Sequence, residues 1–147
     1  MFRAGDIKPE NFAFGDTARG ANSLKLLDFG LSRSFKGGKG IQKRAGSPYY
    51  VAPEVLTSKT YDQNCDAWSM GVLAYFTMTG RVPFTGTSRR KVFDKIIHGT
   101  YCKKLLQTAS DSAVDFIDRL LVVDPRQRMS IEEASRHDWL QDHGAAA

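Results

Sequence analysis

Asp6-Ile7-Lys8-Pro9-Glu10-Asn11 sets a carboxylate, an ammonium and a carboxamide within six positions, and Pro9 interrupts any helix there, so the stretch reads as a tight polar loop. Downstream, Asn11 to Phe14 and Leu24 to Leu27 are short apolar runs separated by Gly15-Asp16-Thr17-Ala18-Arg19-Gly20-Ala21-Asn22-Ser23, a pattern that predicts a β-hairpin. Directly after the second run comes Asp28-Phe29-Gly30, an acid at a strand end followed by a glycine that lets the chain turn a hard oxygen ligand outward.

From Ser32 to Pro48 the sequence holds four glycines, five cations and little apolar content, which predicts an exposed, mobile loop rather than an element. Gly46-Ser47-Pro48-Tyr49-Tyr50-Val51-Ala52-Pro53-Glu54 closes it, and Cys65-Asp66-Ala67-Trp68-Ser69-Met70-Gly71 opens the clearest helix, about Gln63 to Thr79 with Gly80 as the stop. That helix is apolar on nearly every side and belongs in the middle of a domain. Amphipathic faces follow at Val92, Phe93, Ile96 and Ile97, with Gly99 as the stop, and at Val114, Phe116, Ile117, Leu120 and Leu121 before Asp124-Pro125. Ser130-Ile131-Glu132-Glu133 fits a capping box opening a last short helix that carries Trp139. The expected architecture is mainly α, a bundle of about four helices with one small β-hairpin.

With 147 residues the chain has room for one domain or one lobe of a larger one. At 41% hydrophobic content, a packed core is available. The net charge of +5 invites a nucleic-acid reading, but Arg33, Lys36, Lys39, Lys43 and Arg44, with no acid between Asp28 and Glu54, supply the whole surplus. One basic loop, by default a solvated face, makes a poor nucleic-acid surface, so no nucleic-acid partner is expected. Cys65 and Cys102 form no metal or disulfide pattern, and both are expected to be buried thiols. His98, His137 and His143 show no metal spacing and are expected at the surface or at helix ends. Arg89-Arg90-Lys91 opens a helix, where the macrodipole disfavours cations; a solvated end is the plainer reading beside a partner contact. No apolar run is long enough to cross a bilayer and no secretory signal is visible, so an intracellular, cytoplasmic protein without a membrane partner is expected.

The four motifs, in this order, resemble the C-terminal lobe of the eukaryotic serine/threonine protein kinases over nearly the whole chain. Lys8 after Asp6 is the Ser/Thr-specific form, and the run Gly46 to Glu54 looks most like the calcium/calmodulin-regulated and calcium-dependent protein kinases. The resemblance implies a partial kinase domain over 1–147, with a catalytic loop at 6–11, an activation segment at 28–54 and a helical core at 63–140. It implies ATP and Mg²⁺ as cofactors and protein Ser/Thr hydroxyls as acceptors. By position, Asp6 would orient the acceptor proton, Lys8 would steady the transferred phosphoryl group, and Asn11 and Asp28 would hold Mg²⁺ against the nucleotide. Ser47, standing where the family has Thr, would bond Asp6 and Lys8, and Tyr49 to Val51 would line the pocket for the substrate residue after the acceptor. Glu54 and Arg128 correspond to the family's buried ion pair, and Asp66 to the acceptor of backbone N–H bonds from the catalytic loop.

Two departures qualify the resemblance. Ala4-Gly5 stands where the family writes His-Arg, so packing against Phe29 and an arginine for an activation-loop phosphate are both lost. Residues matching the N-terminal lobe do not precede Asp6, so the lobe is expected to be absent, ATP binding weak and transfer by the isolated chain negligible. No EF-hand loop is present; a regulatory domain or calcium sensor would lie outside this chain. The alternative is a non-catalytic, pseudokinase-like interaction module.

Overall fold

The structure, a computed structural model, describes residues 2–3, 7–15, 24–27, 33–34, 48–58 and 61–144. Among the described residues, four short strands lie in the first part: β1 (Phe2–Arg3), β2 (Phe12–Phe14), β3 (Leu24–Leu26) and β4 (Arg33–Ser34). The expected hairpin is β2 against β3, antiparallel, with Phe12 opposite Leu26 and Phe14 opposite Leu24. A second antiparallel pair joins β1 to β4, Phe2 opposite Ser34 and Arg3 opposite Arg33. This corrects the reading of Ser32 to Pro48 as loop throughout: Arg33 and Ser34 are paired, and their partner strand lies about thirty residues upstream, beyond the reach of any local pattern. Residues 35–47 of that predicted loop lie outside the described residues.

The helices follow in order: α1 (Pro53–Thr57), α2 (Asn64–Thr79), α3 (Arg89–His98), α4 (Asp111–Leu120), α5 (Ile131–Ala134) and α6 (Asp138–Gly144). Pro53 opens α1 where its missing N–H costs nothing. Gly80 and Gly99 close α2 and α3 in the left-handed region, at φ 67° and 63°, as their positions foretold. Ser88, Ser110 and Ser130 accept backbone N–H bonds as N-caps of α3, α4 and α5. The Ser130–Glu133 capping box forms, but its helix ends at Ala134, and Trp139 rides on the separate α6. The break is at His137, whose carbonyl accepts from Leu140 and Gln141 and so starts the new helix.

α2 is the axis of the core. Trp68, Val72 and Tyr75 are fully buried on it, with Phe84, Ile96, Ile117 and Leu120 packed from its neighbours. Trp68 stacks on Phe84, ring centroids 5.3 Å apart. α4 lies closest: a Cβ added to Gly71 would sit 2.8 Å from the Leu120 Cβ, so only a glycine lets the two backbones approach this far. Tyr101, following α3, packs edge-on to Tyr75 and gives its hydroxyl to Asp118, which also receives Lys103 Nζ at 2.5 Å.

One side-chain expectation changes. Cys65 is buried, but Cys102 is exposed; its carbonyl, not its thiol, is held, by the Tyr75 hydroxyl at 2.6 Å. His137 stands at a helix end as expected, at the start of α6, and is buried there, with Nε2 3.0 Å from an Asp115 oxygen and Nδ1 accepting from the Trp139 N–H, while Phe116 packs edge-on to its ring. His98 is exposed at a helix end as expected; the side chain of His143 lies outside the described residues.

Candidate active site

The polar loop is a single turn of 3-10 helix. Lys8 is extended, at φ −157° and ψ 158°; Pro9 takes the first helical position; and the turn ends at Asn11, whose N–H bonds the Lys8 carbonyl at 3.0 Å. Ile7 and Asn11 are buried, Lys8 is half-buried and Glu10 is exposed, so the loop is anchored on one side and open on the other. From Asn11 the chain enters β2 directly, and the Asn11 carbonyl receives the Leu27 N–H at 2.8 Å. That bond extends the hairpin by one step and fixes the end of the polar loop beside the residue preceding Asp28.

The two ladders thus frame both motifs. One end of each segment is set where Arg3 pairs with Arg33, the other where Asn11 meets Leu27. Of the residues assigned to the site from sequence, Lys8 and Asn11 stand in this frame. Asp6, Asp28 and Ser47 lie outside the described residues.

The segment from Pro48 to Ala52 is held by α2. Tyr50 is buried, and its backbone carbonyl accepts from the Ser69 hydroxyl of α2 at 2.9 Å. Burial pushes the Tyr50 phenol up to about 12, and the negative charge of Glu10 adds to the shift. Val51 packs on the core, and Ala52 caps α1. Tyr49 stays exposed and, with Pro48, faces the start of α3 across a cavity of about 280 Å³. Sequence reasoning gave Tyr49 to Val51 as a strip but not its far wall, because nothing in Thr87-Ser88-Arg89 announces that a loop some forty residues earlier will lie opposite.

Behind this strip, Glu54 and Arg128 form the expected buried pair. Nη1 reaches Oε1 at 2.7 Å and Nη2 reaches Oε2 at 2.9 Å, with the guanidinium wholly buried. The remaining N–H groups go to the carbonyls of Val122, Val123 and Asn64, so all five donors of Arg128 are used. The guanidinium also lies 5.2 Å from the Trp68 ring. Asp66 is buried in the first turn of α2. Among the described residues no group of His, Cys, Asp and Glu gathers to hold a metal on its own.

Comparison with known proteins points the same way. The family model described as "Protein kinase domain" matches residues 2–140. Calcium-dependent protein kinase 10 of Oryza sativa subsp. japonica is 42% identical over 143 residues, covering 96% of this chain and 24% of the relative. Calcium-dependent protein kinase 27 of the same plant is 42% identical over 143 residues, covering 96% and 23%. Calcium-dependent protein kinase 2 of Arabidopsis thaliana is 40% identical over 144 residues, covering 96% and 22%. The chain therefore spans about a quarter of the length of these relatives. A match over nearly all of its residues, on a helical core with its hairpin frame and its buried Glu54–Arg128 pair, means that this chain belongs to the protein kinase domain family.

Proposed function

We propose that this chain forms the acceptor side of a protein serine/threonine kinase, which moves the γ-phosphate of ATP to Ser and Thr hydroxyls of protein substrates. The observation that carries the reading is the Leu27 N–H to Asn11 carbonyl bond of 2.8 Å. One covalent step of about 3.8 Å leads from Leu27 to Asp28, so the carboxamide of Asn11 and the carboxylate of Asp28 start from neighbouring backbone. Hard oxygen donors of this kind, completed by phosphate oxygens and water, suit Mg²⁺. Bound there, the ion would neutralise charge on the triphosphate.

The chain's own groups do the rest. Asp6 orients the acceptor hydroxyl and takes its proton, and Lys8 steadies the oxygens of the phosphoryl group in transit. The hydroxyl of Ser47 would be the group that bonds Asp6 and Lys8. Phosphoryl transfer needs placement more than covalent help, so a base, a cation and a rigid frame are a sufficient set. The buried Tyr50, tied to α2, gives the substrate strip its rigidity, and the residue following the acceptor lies along Tyr49 to Val51. The names of the relatives point to calcium control through a regulatory domain or calcium sensor outside this chain.

Ala4-Gly5 favours a second reading, an interaction module without catalysis. Calorimetric titration of the chain with ATP, with and without Mg²⁺, separates the two. Weak binding that requires Mg²⁺ and disappears in Asp28→Asn and Asn11→Ala is expected; binding indifferent to both substitutions would remove the catalytic reading.

A further inference from the structure

We infer that the cavity between Pro48-Tyr49 and the start of α3 receives an acidic side chain of the protein substrate, and that Arg89 selects it. This rests on reading Tyr49 to Val51 as the strip that meets the substrate beyond the acceptor. The cavity, about 280 Å³, has Pro48 and Tyr49 on one side and Thr87, Ser88, Arg89 and Val92 on the other. Its floor is apolar, since Val92 is buried, and its rim is the exposed ring of Tyr49. The polar groups on the α3 side are donors: two hydroxyls and a guanidinium. The Ser88 oxygen already accepts from the Lys91 N–H, which leaves its hydroxyl proton to give.

Arg89 is placed rather than loose, its guanidinium carbon 5.1 Å from the centroid of the Phe93 ring. Among the described residues it pairs with no carboxylate, and the first turn of α3 contains no acid. Arg90 and Lys91 add two further cations, against Asp94 as the single acid on the helix. A cavity walled by donors and flanked by unbalanced positive charge favours a carboxylate and repels an ammonium. The occupant that completes it is a Glu or Asp in the one or two positions after the acceptor.

The test is a ¹H–¹⁵N titration of the whole chain with three Ser peptides that differ only in carrying Glu, Gln or Lys at both positions after the acceptor. The Glu peptide is expected to bind about fivefold more tightly than the Gln peptide, and the Lys peptide more weakly than either. In Arg89→Gln the Glu and Gln peptides should become equal, and in Arg89→Glu the order should invert. Arg89 is exposed, so an unchanged melting midpoint in both variants certifies the fold. Shifts at Tyr49 and Val92 without a Glu preference, or a preference that survives Arg89→Gln, would overturn the role of Arg89 and leave the substrate strip standing. No shift at Tyr49 or Val92 with any peptide would overturn both.

Discussion

Replacing Glu54 by Gln is a nearly isosteric change at a place where no slack exists. The glutamine can keep one oxygen toward Nη1 of Arg128, but its amide nitrogen then points an N–H at Nη2, a donor facing a donor in a position that held a 2.9 Å charge-assisted bond. The guanidinium is left wholly buried with no counter-charge, and its other three bonds go to carbonyls that carry only partial charge. Breaking a buried pair from one side costs about 3–5 kcal/mol, more than its net worth, because the survivor cannot regain its hydration. For a domain near this size each kcal/mol moves the melting midpoint by roughly 2–4 °C, so a fall on the order of 10 °C is expected. Circular dichroism melting and urea unfolding would measure it, and hydrogen exchange should show Val55 and Ser58 opening first. Replacing both partners by apolar residues of similar length should cost much less than Glu54→Gln alone, since no charge is then stranded. A Glu54→Gln midpoint within about 2 °C of the parent would refute the reasoning, for it would mean that water reaches the guanidinium.

Gly71→Ala sets two effects against each other: a helix-propensity gain of about 1 kcal/mol and an overpacking cost of about 1–3 kcal/mol. The new Cβ would meet the Leu120 Cβ at 2.8 Å, an atom fixed to backbone, so overpacking should win and the melting midpoint should fall; a rise would mean that α4 can step back. In alkali, burial makes the folded chain hold the Tyr50 proton up to about 12, while an unfolded chain releases it near 10. The folded state thus binds more protons across that window, and stability should fall as pH rises through it. Tyr75, also shifted up by burial, and Tyr101, raised by burial and its bond to Asp118, act in the same direction. Urea midpoints from about pH 9 to pH 11 check this, with Tyr50→Phe expected to flatten part of the decline.

The helical part of the molecule was legible because its signals are local. Gly80 and Gly99 end their helices in the conformation that glycine alone takes freely, and the continuous apolar run of α2 announced its burial before any partner was known. The hairpin could be read from two apolar runs and a polar turn. What escaped depends on residues far apart. Nothing near Arg33 announces a pairing with Arg3, and no pattern at His137 reveals that Asp115 waits on another helix. Trp139 was given to the wrong helix because a capping box marks where a helix starts and carries no information about its length. For the candidate site, the motif order singled out Lys8 and Asn11 as expectations, and the structure adds backbone bonds that no local pattern announces: Asn11 N–H to the Lys8 carbonyl, Leu27 N–H to the Asn11 carbonyl, and the Ser69 hydroxyl to the Tyr50 carbonyl.

The Glu54–Arg128 bridge also sets a clock on synthesis. Its partners are 74 positions apart, so at cellular elongation speeds roughly 4–15 s pass between the ribosome adding the glutamate and adding the arginine that answers it. Through that interval the segment from Pro48 to Thr57 has its carboxylate but no cation to close over it, and must stay hydrated. The segment from Pro48 to Thr57 is therefore locked only after position 128 has been added, and a nascent product that stalls before that position would present the open segment to chaperones and proteases.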